Sequence, residues 1–495
     1  MEESLDPVTE EEWEGLQRLG SRMLDDMMNY LRTVRERPAW QPVPGEVAGR
    51  LTGPLPLDPV PLEAVYDQFT RDVLPYPTGN IHPRFWGWVM GTGTPVGMLA
   101  ELLTAAMNAH VGGYDQAATH VERQVVRWLI ELLGYPPAAS GLLVSGATAA
   151  NLIGLTVARN AKAGFDVRAS GLGALERPRL LIYASTETHS WLTKSCELLG
   201  LGRAAIRLVP VDAEFRIELG TLREMVDRDR RDGQRPICVI GNAGTVNTGA
   251  TDDLRSLAAF CRQEDLWFHV DGAFGALAAL APALQPIVAG MQEADSLAFD
   301  LHKWGYVQYE AGCILVRDAA VHRATFALTP DYLRPTAGGI SIDPTHFADL
   351  GTQLSRSFRA LKVWMTLQAQ GARAWGRVIQ QNVDQASYLA GLIEASDELE
   401  LLAPVPLNVV CFRYAGDLDE ERRRVVNEAI LVELQVRGIA VPSGTTITGP
   451  AGPRFGLRVA NTNHRSRRED FRMLVEAVLE LGHELSSPVA SPVAH

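Results

Sequence analysis

The pattern of apolar and polar residues predicts alternating strands and helices over the middle of the chain. Short apolar runs, most of them bounded by Gly, Ser, Asp or Thr, are separated by segments with helical spacing. This alternation is typical of a mostly parallel sheet with helices on both faces. A helix is predicted at Leu254–Gln263, and the strands are predicted at Leu142–Val144, Leu180–Tyr183, Ile206–Val211, Ile237–Ile240, Leu266–Val270, Leu297–Phe299 and Cys313–Val316.

The N-terminal residues predict a helix followed by a linker. Thr9 and Glu12 have the spacing of a capping box, and apolar residues then recur at helical spacing from Trp13 to Val34. The apolar stripe of this helix packs either on its own chain or on a second subunit. Residues 36–62 hold seven prolines and three glycines, which predicts an extended linker rather than a helix or a central strand.

The C-terminal part predicts a smaller α/β domain. Helices are predicted at Leu354–Gln370, Ala374–Ser396 and Arg468–Leu481, and strands at Asn408–Arg413 and Gly456–Ala460. The last ten residues are of low complexity and are expected to be disordered. We therefore predict an N-terminal helical segment with its linker (residues 1–78), a large domain (79–370), a small domain (371–485) and a disordered tail (486–495).

Composition and charge argue against several classes of function. The net charge of −13, with no long basic run, argues against a nucleic acid or an anionic membrane surface as partner. The apolar stretch Gly275–Met291 is too short and too interrupted to span a bilayer, and the acidic N-terminus shows no secretory signal. The five cysteines form no CxxC pair, so we expect reduced thiols in a cytoplasmic protein and no metal site.

Two charged residues in apolar surroundings suggest a pyridoxal phosphate (PLP) site. Lys303 stands between His302 and Trp304, and it follows Asp271 by 32 residues (303 − 271). A charge among apolar neighbours is costly unless it has a function. A lysine amine can form a Schiff base with the cofactor aldehyde, and an aspartate can keep the pyridine nitrogen protonated so that the ring accepts electrons.

Other small and polar residues follow the predicted strands, where ligands bind in open α/β sheets. Small residues at the start of a helix leave backbone N–H groups free to hold a phosphate. Singly, each of these residues is weak evidence, because a histidine in such a loop is more often a surface or capping residue than a catalytic one, and Ser-Gly-Ala-Thr could be an ordinary N-cap. Five such loops at one edge favour a site for a phosphorylated pyridine; their residues are Ser145-Gly146-Ala147-Thr148, His189, Asn242 with Gly244 and Thr245, Asp271, and Asp300 with His302 and Lys303.

With these motifs in place, the chain resembles the group II PLP-dependent amino-acid decarboxylases, the family of aromatic L-amino-acid decarboxylase. The resemblance covers most of the chain. Its ordered motifs are His82-Pro83-Arg-Phe85, Ser145–Thr148, Thr188-His189-Ser190, Gly244-Thr245-Val-Asn247-Thr-Gly249-Ala, His269–Ala273, His302-Lys303-Trp304, Ser355-Arg356-Ser-Phe358-Arg359-Ala-Leu361-Lys362 and Leu457-Arg458-Val-Ala.

The resemblance implies a fold-type I, aspartate aminotransferase-like α/β fold and the decarboxylation of an L-amino acid. It also implies a homodimer with the site near the subunit interface and the first helix over the partner. It assigns the following roles: Lys303 binds PLP as a Schiff base, Asp271 holds the pyridine nitrogen, His189 and Ala273 lie on the two ring faces, Thr245 lies near the ring, and Ala147, Thr148, Asp300 and His302 surround the phosphate.

Two segments depart from the family pattern. Where aromatic decarboxylases place substrate-pocket residues, this chain has Trp88, which keeps bulk, but also Val89 and Gly91, so an aromatic substrate is only the leading expectation. In the loop at residues 330–353, the family has a tyrosine that helps to protonate the α-carbon, and aldehyde-forming relatives have lost it.

In this chain the loop tyrosine position falls near Phe347, which has no hydroxyl. His346 is either the replacement acid or an ordinary loop residue. Gly338 and Gly339 fit a lid that closes over substrate.

Several alternative functions follow from these observations. An aldehyde synthase of the same family stays open, as does another fold-type I lyase. A desulfurase is disfavoured because residues 330–353 contain no cysteine. A nucleotide-binding protein is disfavoured because no GxxxxGK[ST] motif occurs, and a relative that has lost catalysis because Lys303 and Asp271 are both present.

Overall fold

The structure is a computed structural model that describes residues 4–173, 178–328, 339–340, 346–449 and 452–486. Within these ranges the α-helices are α1 (Glu10–Arg32), α2 (Gly45–Arg50), α3 (Leu62–Asp72), α4 (Pro95–Met107), α5 (Ala117–Leu132), α6 (Ala147–Lys162), α7 (Val167–Ser170), α8 (Trp191–Leu198), α9 (Leu219–Arg231), α10 (Leu254–Gln263), α11 (Ala319–Phe326), α12 (Ala360–Gln370), α13 (Ala372–Glu394), α14 (Glu420–Val436) and α15 (Arg468–Ser486). The strands are β1 (Ser140–Val144), β2 (Leu180–Ser185), β3 (Ile206–Val209), β4 (Arg235–Asn242), β5 (Trp267–Asp271), β6 (Ser296–Asp300), β7 (Gly312–Val316), β8 (Leu399–Leu401), β9 (Val409–Tyr414), β10 (Ser443–Gly449) and β11 (Gly452–Ala460).

The large sheet follows the predicted alternation. In the described ranges its strand order is β1-β7-β6-β5-β4-β2-β3. The neighbours from β6 to β3 are parallel, and β7 is antiparallel to both β6 and β1, so β1 runs in the same direction as the parallel strands. The mostly parallel α/β fold and all seven predicted strands are confirmed. The carboxyl ends of β1, β2, β4, β5 and β6 therefore meet at one edge of the sheet.

A second, antiparallel sheet follows, in the order β10-β11-β9-β8. It has its own core, in which Phe412 of β9 packs with residues of α14 and α15 such as Ile430 and Phe471. The two strands predicted here are confirmed, whereas β8 and β10 were not predicted. The small α/β unit is thus present, while the domain boundaries at residues 78, 370 and 485 stay a prediction.

The first helix begins as predicted. Thr9 is its N-cap, and the Glu12 carboxylate accepts the backbone N–H of Thr9 at 2.9 Å in a complete capping box. The prediction that residues 36–62 contain no helix is wrong, because α2 lies within them. Pro44 precedes its first turn, where a missing N–H costs nothing, and Arg50 anchors its end by pairing with the buried Asp72 at 2.7 Å.

The predicted helix from Leu354 is also wrong in its start, because α12 begins at Ala360. The Arg356 carbonyl accepts the backbone N–H of Val111 at 2.8 Å. In a helix this carbonyl would instead accept the backbone N–H of Ala360, four residues later. The guanidinium of Arg356 is buried and pairs with Glu122. This tertiary pairing holds the segment before α12 in a non-helical conformation.

Two expectations fall mainly on residues that the structure does not describe. The predicted tail lies outside it after Ser486, as do residues 330–338 and 341–345 of the predicted loop at 330–353. No helix in the described part of the chain is long and apolar enough to cross a membrane.

Candidate active site

The carboxyl-terminal edge of the large sheet surrounds a cavity of about 560 Å³. Eleven of the twelve predicted site residues line this cavity: Trp88, Val89, Ala147, Thr148, His189, Thr245, Asp271, Ala273, Asp300, His302 and Lys303. The exception is His346, which lines a second cavity with His110, Tyr114 and Arg168. One chain therefore brings together every predicted site residue except the candidate acid of the loop.

Asp271 ends the central strand β5, and two hydrogen bonds fix its carboxylate. Oδ2 accepts the indole N–H of Trp191 at 2.6 Å, and Oδ1 accepts the backbone N–H of Ala273 at 3.0 Å. The carboxylate is buried, with 5% of the residue exposed. A fixed anion in a site of low water content interacts strongly with a cationic ring N–H group. The sequence reasoning missed Trp191, although it follows the predicted His189 by two residues.

Lys303 extends into the cavity from a turn that follows β6. Its Nζ lies 2.9 Å from Asp300 Oδ2, and its side chain is 21% exposed. The next residue, Trp304, is fully buried and donates its indole N–H to Asn382 at 3.0 Å. The backbone is thus anchored on one side of Lys303 while the amine faces the cavity.

The start of α6 forms a cradle for an anion. Its N-cap residue is Gly146, and no described side chain caps the N–H groups of its first turn. A Cβ on Gly146 would lie 3.3 Å from His302 Cε1 and 3.6 Å from Asp300 Oδ1, so only glycine leaves this space open. Free N–H groups at a helix N-terminus suit a phosphate.

Lys303 offsets the negative charge of Asp300 at this cradle, and the ring of His302 lies close by. Asp300 Oδ2 lies near Lys303 Nζ and 3.6 Å from His302 Nε2. The other ring nitrogen of His302 accepts the backbone N–H of Ala311 at 3.1 Å, so Nε2 carries the ring proton. Burial lowers the pKa of His302, while Asp300 acts in the opposite direction.

His189 lies in the loop between β2 and α8, at the cavity wall. Its Nδ1 accepts the backbone N–H of Trp191 at 3.2 Å, which leaves the proton on Nε2. Burial lowers the pKa of His189, while the Asp271 carboxylate acts in the opposite direction. The lowered pKa favours a neutral imidazole at neutral pH, a flat group suited to lie against a cationic ring.

The loops after β2 and β4 are held together by Asn242, a second residue without an assigned role in the sequence reasoning. Its amide Nδ2 donates to Ser185 Oγ at 3.2 Å and to Thr188 Oγ1 at 3.1 Å. The neighbouring Thr245 is buried, and its hydroxyl lies 3.0 Å from that of Thr248. These bonds fix the part of the cavity lining that the loops after β2 and β4 form.

The lining residues of the cavity differ in exposure. We call the less exposed Asp271, Asn242 and Lys303 its floor and the more exposed Trp88 and Tyr309 its mouth. Trp88 is 55% exposed and has a positive φ of 53°, and its carbonyl accepts from the buried Arg458 at 2.8 Å. The ring of Tyr309 lies 4.3 Å from that of His302, and burial raises the pKa of its hydroxyl to about 12. The sequence reasoning assigned no role to Tyr309 or Arg458.

The donor set fits PLP. An amine for the aldehyde, a fixed carboxylate for the pyridine nitrogen and a glycine-lined helix start for the phosphate line the same cavity. When bound, PLP supplies an electron sink for the reacting amino acid. Among the described residues, no group of His, Cys, Asp and Glu side chains is arranged to hold a metal ion.

Comparison with known proteins agrees with this arrangement. Residues 44–415 match the family model of the pyridoxal-dependent decarboxylase conserved domain. The chain is 30% identical over 478 residues to the aromatic-L-amino-acid decarboxylase of Bacillus atrophaeus, covering 96% of each chain. It is 27% identical to the phenylacetaldehyde synthase of Arabidopsis thaliana, covering 95% of this chain and 97% of the other.

A solved structure, that of Oryza sativa TDC with PLP and tryptamine, superposes with a TM-score of 0.89 at 25% identity. The match covers 98% of this chain and 100% of the other. The chain thus belongs to the pyridoxal-dependent decarboxylase family and is a PLP-dependent amino-acid decarboxylase family enzyme.

Proposed function

We propose that this enzyme decarboxylates an aromatic L-amino acid to the amine and carbon dioxide, with PLP attached to Lys303. The observation that carries the proposal is that the amine of Lys303 and the carboxylate of Asp271, which two hydrogen bonds fix, line the same cavity. Similarity to an aromatic-L-amino-acid decarboxylase and to a phenylacetaldehyde synthase supports an aromatic substrate.

Each of the site residues has its own role in this proposal. Asp271 keeps a proton on the ring nitrogen, since a fixed anion favours the cationic form. His189 would lie against one ring face as a neutral group, and the N–H groups at the start of α6 would hold the phosphate. Lys303 would attach the cofactor through its amine, the group that exchanges with the amine of the substrate.

The mouth of the cavity supports an aromatic side chain. Trp88 and Tyr309 offer aromatic surfaces next to Val89 and Met90. An aromatic substrate ring gains contact area and favourable ring geometry against such residues. Two walls of this kind fit an aromatic group better than a charged one.

Oxygen-consuming aldehyde formation is the second candidate. It is favoured by the similarity to the phenylacetaldehyde synthase and by Phe347, which has no hydroxyl. Phe347 is buried, and its ring lies 5.0 Å from the guanidinium of Arg356. His346 lines a different cavity of the same chain, so its role as an acid requires either that it reach the site of a partner subunit or that it move.

The proposed assembly is a homodimer. Exposed apolar side chains lie on helices that follow one another along the chain: Trp13 and Leu16 on α1, Val65 and Phe69 on α3, and Leu102, Leu103 and Met107 on α4. Exposed apolar side chains that share one surface mark an interaction site, and packing of these helices on a second subunit would cover them. A cytoplasmic location stays a prediction, and all five cysteines are buried and unpaired.

The test is a simultaneous assay of carbon dioxide, amine, ammonia and hydrogen peroxide from aromatic, acidic and aliphatic L-amino acids with PLP. Amine equal to carbon dioxide, fastest with an aromatic substrate, is the expected result. Ammonia and peroxide equal to carbon dioxide support the aldehyde synthase instead. No carbon dioxide from any substrate contradicts both proposals.

A further inference from the structure

A buried chain of hydrogen bonds runs behind the cavity and ends at Asn151 of α6. The indole N–H of Trp267 donates to Ser296 Oγ at 2.8 Å. Ser296 Oγ lies 2.7 Å from His269 Nδ1, and His269 Nε2 lies 2.7 Å from Asn151 Oδ1. Ser296, His269 and Asn151 are each 0% exposed. The bonds are therefore shielded from water along their whole length.

The donors and acceptors of this chain define its direction. Asn151 Oδ1 can only accept, so the proton of the neutral His269 ring lies on Nε2 and Nδ1 accepts the hydroxyl proton of Ser296. Ser296 Oγ in turn accepts the indole N–H of Trp267, which can only donate. Burial lowers the pKa of His269 to about 3, so the ring is neutral. With Nδ1 as an acceptor, Nε2 carries the proton and donates to Asn151 Oδ1.

This direction leaves the amide Nδ2 of Asn151 facing elsewhere. Nδ2 is buried and has no hydrogen-bond partner among the described residues. Asn151 also lines the cavity that holds Lys303 and Asp271. A buried N–H group without a partner is costly, so an acceptor in the cavity is expected to satisfy it.

We propose that Asn151 donates a hydrogen bond from Nδ2 to an oxygen of bound PLP, and that Ser296 and His269 are positioning residues that keep this donor turned toward the cavity. This proposal rests on the proposed function, because it assumes that PLP occupies the cavity. The ring hydroxyl oxygen and the phosphate oxygens of PLP share the required chemistry, since both are oxygen acceptors that carry negative charge.

The first test changes the donor itself. Asn151→Asp keeps the volume and the acceptor for His269 but presents an oxygen to the cavity, whereas Asn151→Leu removes both bonds. The purified holoenzyme is diluted into PLP-free buffer, and the loss of the absorption of lysine-bound PLP gives the dissociation rate. We expect both variants to release PLP at least about tenfold faster, the effect of losing a hydrogen bond to a charged acceptor.

The second test acts on the chain of bonds without touching the cavity. Ser296→Ala removes the proton donor to His269 Nδ1, so the His269 proton can move to Nδ1 and the Asn151 amide can turn. We expect PLP release to be faster in this variant as well. Thr156→Val on the same helix is the matched control, because its hydroxyl bonds only to Leu152 O in the described contacts, and it should release PLP at the wild-type rate.

A third measurement distinguishes the two oxygen acceptors. The equilibrium binding of pyridoxal, which has no phosphate, is compared with that of PLP in wild type and Asn151→Leu. Equal weakening for both compounds assigns the bond to the ring oxygen, and weakening for PLP alone assigns it to the phosphate. Wild-type release rates in both Asn151 variants and in Ser296→Ala overturn the proposal.

These outcomes are separate from failure of the proposed function. If wild-type protein forms no lysine-bound PLP, or if Lys303→Ala keeps that absorption, the attachment site itself is wrong. If Asn151→Leu does not fold, Ser296→Ala and Asn151→Asp still decide the proposal.

Discussion

The floor and the mouth of the cavity differ in how firmly their residues are held. At the floor, the Asp271 carboxylate accepts two hydrogen bonds and Asn242 joins two loops. At the mouth, Trp88 is more than half exposed, and Tyr309 is half exposed. Groups that fix a cofactor must be preorganised, whereas groups that contact a variable side chain need only shape and polarity. We therefore expect the floor to specify the chemistry and the mouth to specify the substrate.

The largest effect is expected from Lys303→Ala. Without the amine, PLP cannot attach covalently to the chain, so turnover and the absorption of lysine-bound PLP should both be lost. Absorption spectra and carbon dioxide release measure the two properties. Wild-type activity in this variant contradicts the assignment of the floor.

Asp271→Ala tests the fixed anion at the floor. We expect kcat to fall by about 10²–10³-fold, the usual cost of removing one preorganised electrostatic group. PLP can still bind through Lys303 and the start of α6, so spectra should show some attached cofactor. Activity within about threefold of wild type means that Asp271 does not hold the ring nitrogen.

Trp88→Ala tests whether the mouth selects the substrate. We expect kcat/KM for the best aromatic substrate to fall about tenfold or more, with a smaller change for an aliphatic amino acid. The ratio of the two kcat/KM values is the measured quantity. An equal fall for both substrates places Trp88 among the residues that support the floor instead.

Trp191→Phe gives the smallest expected effect, because it keeps the bulk and removes one N–H bond to Asp271. We expect kcat/KM to fall about threefold to tenfold, in line with the loss of one hydrogen bond. Trp364→Phe is the matched control, since its indole donates to Gln124 at 2.9 Å and does not line the cavity. Equal effects of the two changes indicate a general loss of packing.

Local sequence patterns predicted most of the fold. The features that were missed depend on contacts between residues far apart in the sequence. The seven strands of the large sheet, the helix α10 and the capping box at Thr9 depend on neighbouring residues, and all are present. The helix α2 was missed because the seven prolines and three glycines of residues 36–62 argue against a helix, and Asp72, the ion-pair partner of Arg50, lies outside that segment. The start of α12 was misplaced for a similar reason, the pairing of the Arg356 backbone with Val111.

The same limit applies to the site. Residues that follow strands were placed together because parallel strands end at one edge of a sheet. Trp191 and Asp271 are 80 residues apart, and no spacing rule predicts their bond. His346 was chosen for its chemistry and for its place beside Phe347, and the structure places it in a second cavity with His110 and Tyr114.

The attachment of PLP to Lys303 is tested most directly by borohydride reduction of the holoenzyme followed by peptide mass spectrometry. The chain has only four lysines, Lys162, Lys194, Lys303 and Lys362, so the labelled peptide identifies the residue without ambiguity. Lys162 and Lys362 are each paired with a carboxylate at 2.6 Å. We predict the phosphopyridoxyl group on Lys303 alone. A label on another lysine, or none on a protein that shows the absorption of bound PLP, contradicts the account.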